Sequence, residues 1–296
     1  MKFLVAILSV LFAVQLPVSA QFTADSIQLV TSDITLFWSV YNAANGKPTA
    51  KQLQKDYLDQ GSAGLKGFIP MRIVSGKYLA KRVQAYHNQY QKARPYTERI
   101  PTLADTIRRQ LWAFREWYPA ATYPPIYFVI GAHNSGGTTF RGGLIVGAEM
   151  FGDSSNRLGF ETLDETVAHE WVHFQQRYPN DRSLLAQSIR EGSADFLSEL
   201  ITGGKKPQGP YTYGFANEQA LWKEFSSRMH ESDWKDWLYG GGRTDRPADL
   251  GYWMGFVITR AYYQKATDKQ KAIAEILNIR DFKAFLAASG YNGPTP

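Results

Sequence analysis

Glu165-Thr166-Val167-Ala168-His169-Glu170-Trp171-Val172-His173-Phe174 is the stretch on which the reading of the whole chain turns. It carries two imidazoles four positions apart with a carboxylate directly after the first, the pattern His-Glu-x-x-His. On an α-helix, residues i and i+4 share a face with Cβ atoms about 5–6 Å apart, so His169 and His173 can both reach one tetrahedral metal ion at about 2.0–2.1 Å. Glu170 is turned about 100° from His169. It lies beside the open position of such a metal, placed to take a proton from water rather than to act as a ligand. Thr162-Leu163-Asp164-Glu165 reads as a capping box, and Leu163, Val167, Trp171, Phe174 and Tyr178 form an apolar stripe from which both histidines are displaced.

Glu191 lies eighteen positions beyond His173, within Arg190-Glu191-Gly192-Ser193-Ala194-Asp195-Phe196-Leu197-Ser198-Glu199. Pro179-Asn180-Asp181-Arg182 breaks the first helix, and a helical pattern resumes at Ser183 through Leu184, Leu185, Ile189, Phe196, Leu197 and Ile201. The two segments make an antiparallel helical hairpin. At about 1.5 Å per residue, the returning helix of that hairpin brings Glu191 back near the level of the histidine pair, where it is available as a third ligand. Asp195, four residues on and on the same face, is placed to accept the remaining ring N–H of a ligand histidine and fix its tautomer.

At these residues the chain resembles the gluzincin metallopeptidases, whose pattern is His-Glu-x-x-His followed by a Glu inside a second helix. His169, Glu170, His173 and Glu191 match that pattern residue by residue, and Asp195 matches the family's carboxylate behind the ligands. The chain looks still more like a bacterial group of secreted or lipoprotein zinc proteases known mainly as a domain of unknown function. The stretches that carry this likeness are Gly61-Ser62-Ala63-Gly64-Leu65-Lys66, Gly136-Gly137-Thr138, Gly251-Tyr252-Trp253-Met254-Gly255 and Asp281-Phe282-Lys283-Ala284-Phe285-Leu286. The resemblance implies Zn²⁺ as the cofactor, a peptide or protein substrate, and a zincin-like fold. It also implies a sheet whose edge strand precedes the zinc helix and holds extended peptide, an element that Gly142–Met150 resembles. A Tyr or His downstream of the third ligand is expected to stabilise the oxyanion; Tyr252 is the choice, with Tyr213 and His230 as rivals.

At the chain start, Lys2 precedes the apolar run 3–14, and Pro17-Val18-Ser19-Ala20 follows it, which reads as a signal peptide cleaved after Ala20. The run is shorter than the ~20 residues of a bilayer-spanning helix. The expected mature chain therefore has 296 − 20 = 276 residues, no stable membrane insertion, and a periplasmic or secreted location. Zero cysteines exclude disulfides and thiolate zinc sites, so a metal must be held by N and O donors. The net charge of +6 is dispersed among acids, with no basic stripe interleaved with aromatics, which argues against nucleic acid.

The remaining patterns predict helices near Ala50–Leu58, Lys77–Arg94, Leu103–Tyr118, Ala216–Met229 and from Leu250 onward, with Pro95 stopping the second. Gly61–Gly67 reads as a turn. Strands are expected at Pro125–Ile130 and Gly142–Ala148, joined by the Gly131–Gly137 loop, and Asp268 and Asp281 as caps of two closing helices. The sum is an α+β, mostly helical single domain over 21–296, with a helical part at about 21–120 and a catalytic core at about 121–296. The leading function is an exported zinc peptidase, with internal cleavage favoured because no Gly-x-Met-Glu-Asn-type amine-recognition motif is present. The alternative is a non-catalytic zinc-containing envelope or glycan-binding protein.

Overall fold

The chain is seen here as a computed structural model that describes residues 24–152, 158–204, 209–240 and 243–294. The segment read as a signal peptide lies outside the described residues. The protein is α+β, 62% helical, with a small mixed sheet.

The first third is helical: α1 Ser32–Ala43, α2 Ala50–Gln52, α3 Ala63–Phe68, α4 Gly76–Ala85, α5 His87–Thr97 and α6 Ile100–Ala113. The helix expected at 50–58 is present, but from Leu53 its turns widen to π-helical spacing. Gly61–Gly67 is not a turn. Ser62 caps α3 by accepting from the Leu65 N–H at 3.2 Å, and the buried Asp33 of α1 fixes Ser62 by accepting from its N–H at 2.9 Å. Such a cap satisfies a helix terminus that a glycine-rich sequence conceals. Pro95 stays inside α5, in its last turn, where it costs a single ladder bond; the break falls instead at Tyr86, between α4 and α5.

Four strands follow the order β1-β2-β4-β3, with β1 Leu29–Val30, β2 Ile126–Val129, β3 Gly137–Phe140 and β4 Gly143–Gly147. β1 and β4 both run parallel to β2, whereas β3 pairs antiparallel with β4. β4 is therefore an interior strand, buried along its whole length. This corrects the expectation that Gly142–Met150 forms the edge beside the zinc helix: its unbroken run of apolar residues suits a strand covered on both faces. The edge falls to β3, in a glycine-rich stretch whose pattern suggested only a loop. A separate pair, β5 Phe151–Gly152 and β6 Leu158–Gly159, leads into the helical half.

That half contains α7 Leu163–Gln175, α8 Leu184–Thr202, α9 Pro210–Ala216, α10 Glu218–Arg228, α11 Leu250–Lys265, α12 Lys269–Leu277 and α13 Phe282–Ser289. The expected capping box at 162–165 does not form. A 3-10 turn at Phe160–Thr162 precedes α7, so the Thr162 hydroxyl turns back to the Gly159 carbonyl at 2.8 Å. Asp164 and Glu165 still place negative charge in the first turn, where the helix dipole favours it. Leu163, Val167 and Trp171 of the predicted stripe are fully buried. α7 ends earlier than the Pro179 break, because Gln176 is already extended.

α8 starts at the expected place, with Ser183 accepting from the Ala186 N–H at 3.2 Å, and ends at a left-handed Gly203. It crosses α11 at backbone contact. A Cβ on Gly255 would stand 1.7 Å from the Ser188 carbonyl oxygen, and one on Gly192 would stand 2.1 Å from the Phe256 nitrogen. Asp268 and Asp281 cap α12 and α13 as the sequence indicates.

Candidate metal centre

The hairpin of α7 and α8 brings His169, His173 and Glu191 to one point. His173 Nε2 lies 2.9 Å from His169 Nε2 and 3.1 Å from Glu191 Oε2, and His169 Nε2 lies 3.4 Å from the same oxygen. Tetrahedral coordination at about 2.0–2.1 Å sets donors roughly 3.3 Å apart, so this spacing suits one ion.

The outer nitrogens explain why the inner ones face each other. His169 Nδ1 is 2.7 Å from Asp195 Oδ1, a carboxylate oxygen that can only accept. His173 Nδ1 is 2.9 Å from Gln176 Oε1, while Gln176 Nε2 donates to the Arg190 carbonyl at 2.8 Å and to Ser193 Oγ at 3.1 Å. With its amide hydrogens committed there, Gln176 presents oxygen to His173. In their neutral forms both rings thus donate from Nδ1 and aim an Nε2 lone pair at the same point, beside an anionic oxygen. Three electron-pair donors converging in this way fit a cation. The donor set of two imidazoles and a carboxylate is one that zinc accepts.

The electrostatics agree. Burial by itself would lower the His169 pKa, but Asp195 and Glu191 together raise it well above the usual histidine value. His173 is likewise raised, with burial opposed chiefly by Glu191. Burial would raise Glu191, yet the two imidazoles bring it well below the usual carboxylate range. The field at the centre favours positive charge.

Glu170 lines the adjoining cleft, which has a volume of about 400 Å³ and includes Asn134, Gly137, His169, Asp195 and Tyr252 among its walls. Its side chain lies against the first residue of β3: a Cβ on Gly137 would stand 2.6 Å from Glu170 Cγ. Tyr252, at the start of α11, stacks nearly parallel to His169, with ring centroids 6.2 Å apart. Neither rival oxyanion donor, Tyr213 or His230, is among the residues of this cleft. Glu165, Glu170, Asp195 and Glu199 line it, and no Lys or Arg does among the described residues. The chain's net positive charge is therefore not expressed at this cleft.

Three participants are not evident in the sequence. Gln176 is the first extended residue after α7. Tyr239 donates to Glu191 Oε1 at 3.0 Å from a backbone with φ 62°, an uncommon left-handed conformation for tyrosine. Tyr211 of α9 donates to Asp195 Oδ2. A helical period shows none of these, because each arrives by tertiary approach; the one sequence signal is the glycine run that follows Tyr239.

A family model described as "Predicted Zn-dependent protease (DUF2268)" matches residues 130–283, just over half of the chain, from the end of β2 into α13. No curated protein and no solved structure matches it.

Proposed function

Because the chain belongs to the DUF2268 family of predicted Zn-dependent proteases, we propose that it is an exported endopeptidase working through His169, Glu170, His173 and Glu191. The observation that carries this reading is the convergence of three donor atoms at one point with Glu170 in the wall of the same cleft. When bound, zinc supplies Lewis acidity, polarising an amide carbonyl and acidifying water. His169 and His173 would hold it through Nε2, oriented by Asp195 and Gln176, and Glu191 Oε2 would complete the protein's share of the ligands. Glu170 accepts a proton from the attacking water and later delivers it to the leaving amine nitrogen. The Tyr252 hydroxyl donates to the oxygen on which negative charge develops.

The open edge of β3 supplies the binding surface for an extended peptide. Gly147 N–H donates to the Gly136 carbonyl at 3.1 Å, which marks that pair as hydrogen-bonded. In an antiparallel ladder such pairs alternate, so Thr138 and Phe140 face β4 while Thr139 turns its N–H and C=O outward. A peptide added at Thr139 gains backbone hydrogen bonds with little demand on its sequence and runs toward Gly137, against which Glu170 rests. Export rests on the N-terminal apolar run followed by Ala20, and N-terminal sequencing of protein recovered outside the cytoplasm is expected to begin at Gln21.

The decisive experiment compares the mature protein with Glu170→Gln by metal analysis and by cleavage mapping on a mixed peptide library. One zinc per chain is expected in both, with internal cleavage in the first and a loss of about 10²–10⁴ in rate in the second. An equally active Glu170→Gln variant would reject Glu170 as the base. A metal-free, active protein would reject the centre altogether.

A further inference from the structure

A second groove, of about 610 Å³, runs between the turn at 46–50 and α4 and ends at His87. It shares no lining residue with the metal cleft. Its floor is apolar: Pro48 and Val83 are buried, and Ala50 and Ala80 flank them. Its rim carries the exposed Lys47, Lys77 and Lys81, and among the described residues no carboxylate lines it. Lys77 and Lys81 stand at i and i+4 on α4, a like-charge spacing that destabilises a helix.

Two of the molecule's arginines, by contrast, gather carboxylates. Arg228 gathers Glu231, Asp233 and Asp236, and Arg243 meets Glu224 and Asp245. Among the described residues, none of the three rim lysines has an ion pair.

His87 adds a directed donor. The buried Tyr41 accepts from Gln91 Nε2 at 2.7 Å, which leaves its own hydroxyl hydrogen for His87 Nδ1, 3.0 Å away. With that hydrogen directed at Nδ1, the N–H that His87 offers is Nε2. A groove lined by three lysines and ending at a ring N–H donor suits an oxyanion and repels a cation. Three positive charges are better matched by a dianion than by a carboxylate, and the groove's volume falls in the range of small-molecule sites.

We propose that this groove binds a small soluble phosphate monoester, its phosphate held by Lys47, Lys77, Lys81 and His87 and its apolar substituent lying on Pro48, Val83 and Ala80. The test titrates phenyl phosphate into the zinc-loaded protein by NMR or calorimetry, with the double variant Lys77→Gln/Lys81→Gln and the single variant His87→Phe alongside. Phosphate is also a zinc ligand, so the comparison with the double variant decides. Binding is expected to weaken by about tenfold or more in the double variant and less in His87→Phe, and inorganic phosphate is expected to bind about tenfold more weakly than phenyl phosphate. Unchanged melting temperatures would show that these exposed substitutions leave the fold intact. Equal affinity in wild type and double variant, or no saturation by about 10 mM ligand, would overturn the proposal. So would equal binding of inorganic phosphate, which lacks the apolar body. Lysine-dependent binding to phosphatidylglycerol vesicles without phenyl phosphate binding would replace the soluble ligand with a lipid surface.

Discussion

Asp195 spends both of its oxygens on the centre, one accepting from His169 Nδ1 and the other from the Tyr211 hydroxyl. Asp195→Asn keeps the shape but weakens the acceptor, and zinc affinity is expected to fall by about 10–100-fold, read by competition with a chelator. Loss of zinc from Asp195→Ala but not from Glu191→Ala would reverse the assignment of ligand and supporting residue. The two tyrosines near the centre separate by the same logic. Tyr252 stacks on His169 in the cleft, whereas Tyr239 holds Glu191. Tyr252→Phe is expected to retain zinc and lose about 10²–10³ in kcat. Tyr239→Phe is expected to lower zinc affinity first. A Tyr252→Phe enzyme with unaltered kcat would make that residue a packing element. The convergence of His169, His173 and Glu191 was legible in the sequence because i, i+4 spacing and a hairpin return are local rules. Gln176, Tyr211 and Tyr239 were not, because no period in the chain relates them to the histidines.

Among the elements, the helices were easier to read than the sheet. Apolar positions at helical spacing mark α7, α8 and α11, and Ser183, Asp268 and Asp281 mark starts that the structure keeps. β3 was hidden because Gly136-Gly137-Thr138-Thr139 has turn composition, and its pairing with β4 depends on a neighbour rather than on its own residues. α3 was hidden because the residue that secures its cap, Asp33, lies in another helix. The α8–α11 crossing lies next to the site, since Gly192 follows Glu191 and Gly255 follows Tyr252 by three residues. Gly255→Ala gains helix propensity, worth up to about 1 kcal/mol, but forces a methyl group into the Ser188 carbonyl. Overpacking costs of about 1–3 kcal/mol or more are expected to win. Thermal melts and zinc titration on Gly255→Ala check this: a lower melting temperature and weaker zinc binding together support the crossing as the support of the site. A stable variant with native zinc affinity would show that the helices can separate freely.

At the scale of the whole molecule, a buried group outside the metal centre is expected to tie stability to pH. Glu149 is fully buried, and burial pushes its pKa up from 4.5 to about 7, although its oxygens accept from the Gly131 N–H at 2.8 Å and the His133 N–H at 3.0 Å. The folded state therefore keeps this proton to a higher pH than the unfolded chain. Its contribution to stability is complete below about 4.5 and is lost as pH rises toward about 7, on the order of 3 kcal/mol in all. Melts from about pH 5 to about pH 8 are expected to fall more steeply for the wild type than for Glu149→Gln, which cannot titrate there. Parallel slopes would place the pH dependence elsewhere. The loop concerned joins β2 to β3, and Arg82 of α4 also holds it, donating to the Ala132 carbonyl at 2.7 Å and the His133 carbonyl at 3.0 Å. Nothing in the sequence around Glu149 announces this role, because a lone Glu after a strand carries no sign of being enclosed.

The meeting of Gly192 and Gly255 also limits how the chain can change over generations. When a large residue replaces a small one in a core, a second change that shrinks its neighbour often restores function. Here the atoms in the way are the backbone nitrogen of Phe256 and the backbone carbonyl of Ser188, which no substitution removes. A genetic selection begun from Gly192→Ala should therefore return glycine at 192 rather than a local second-site suppressor. Among relatives that keep both histidines and the glutamate, these two positions should stay glycine.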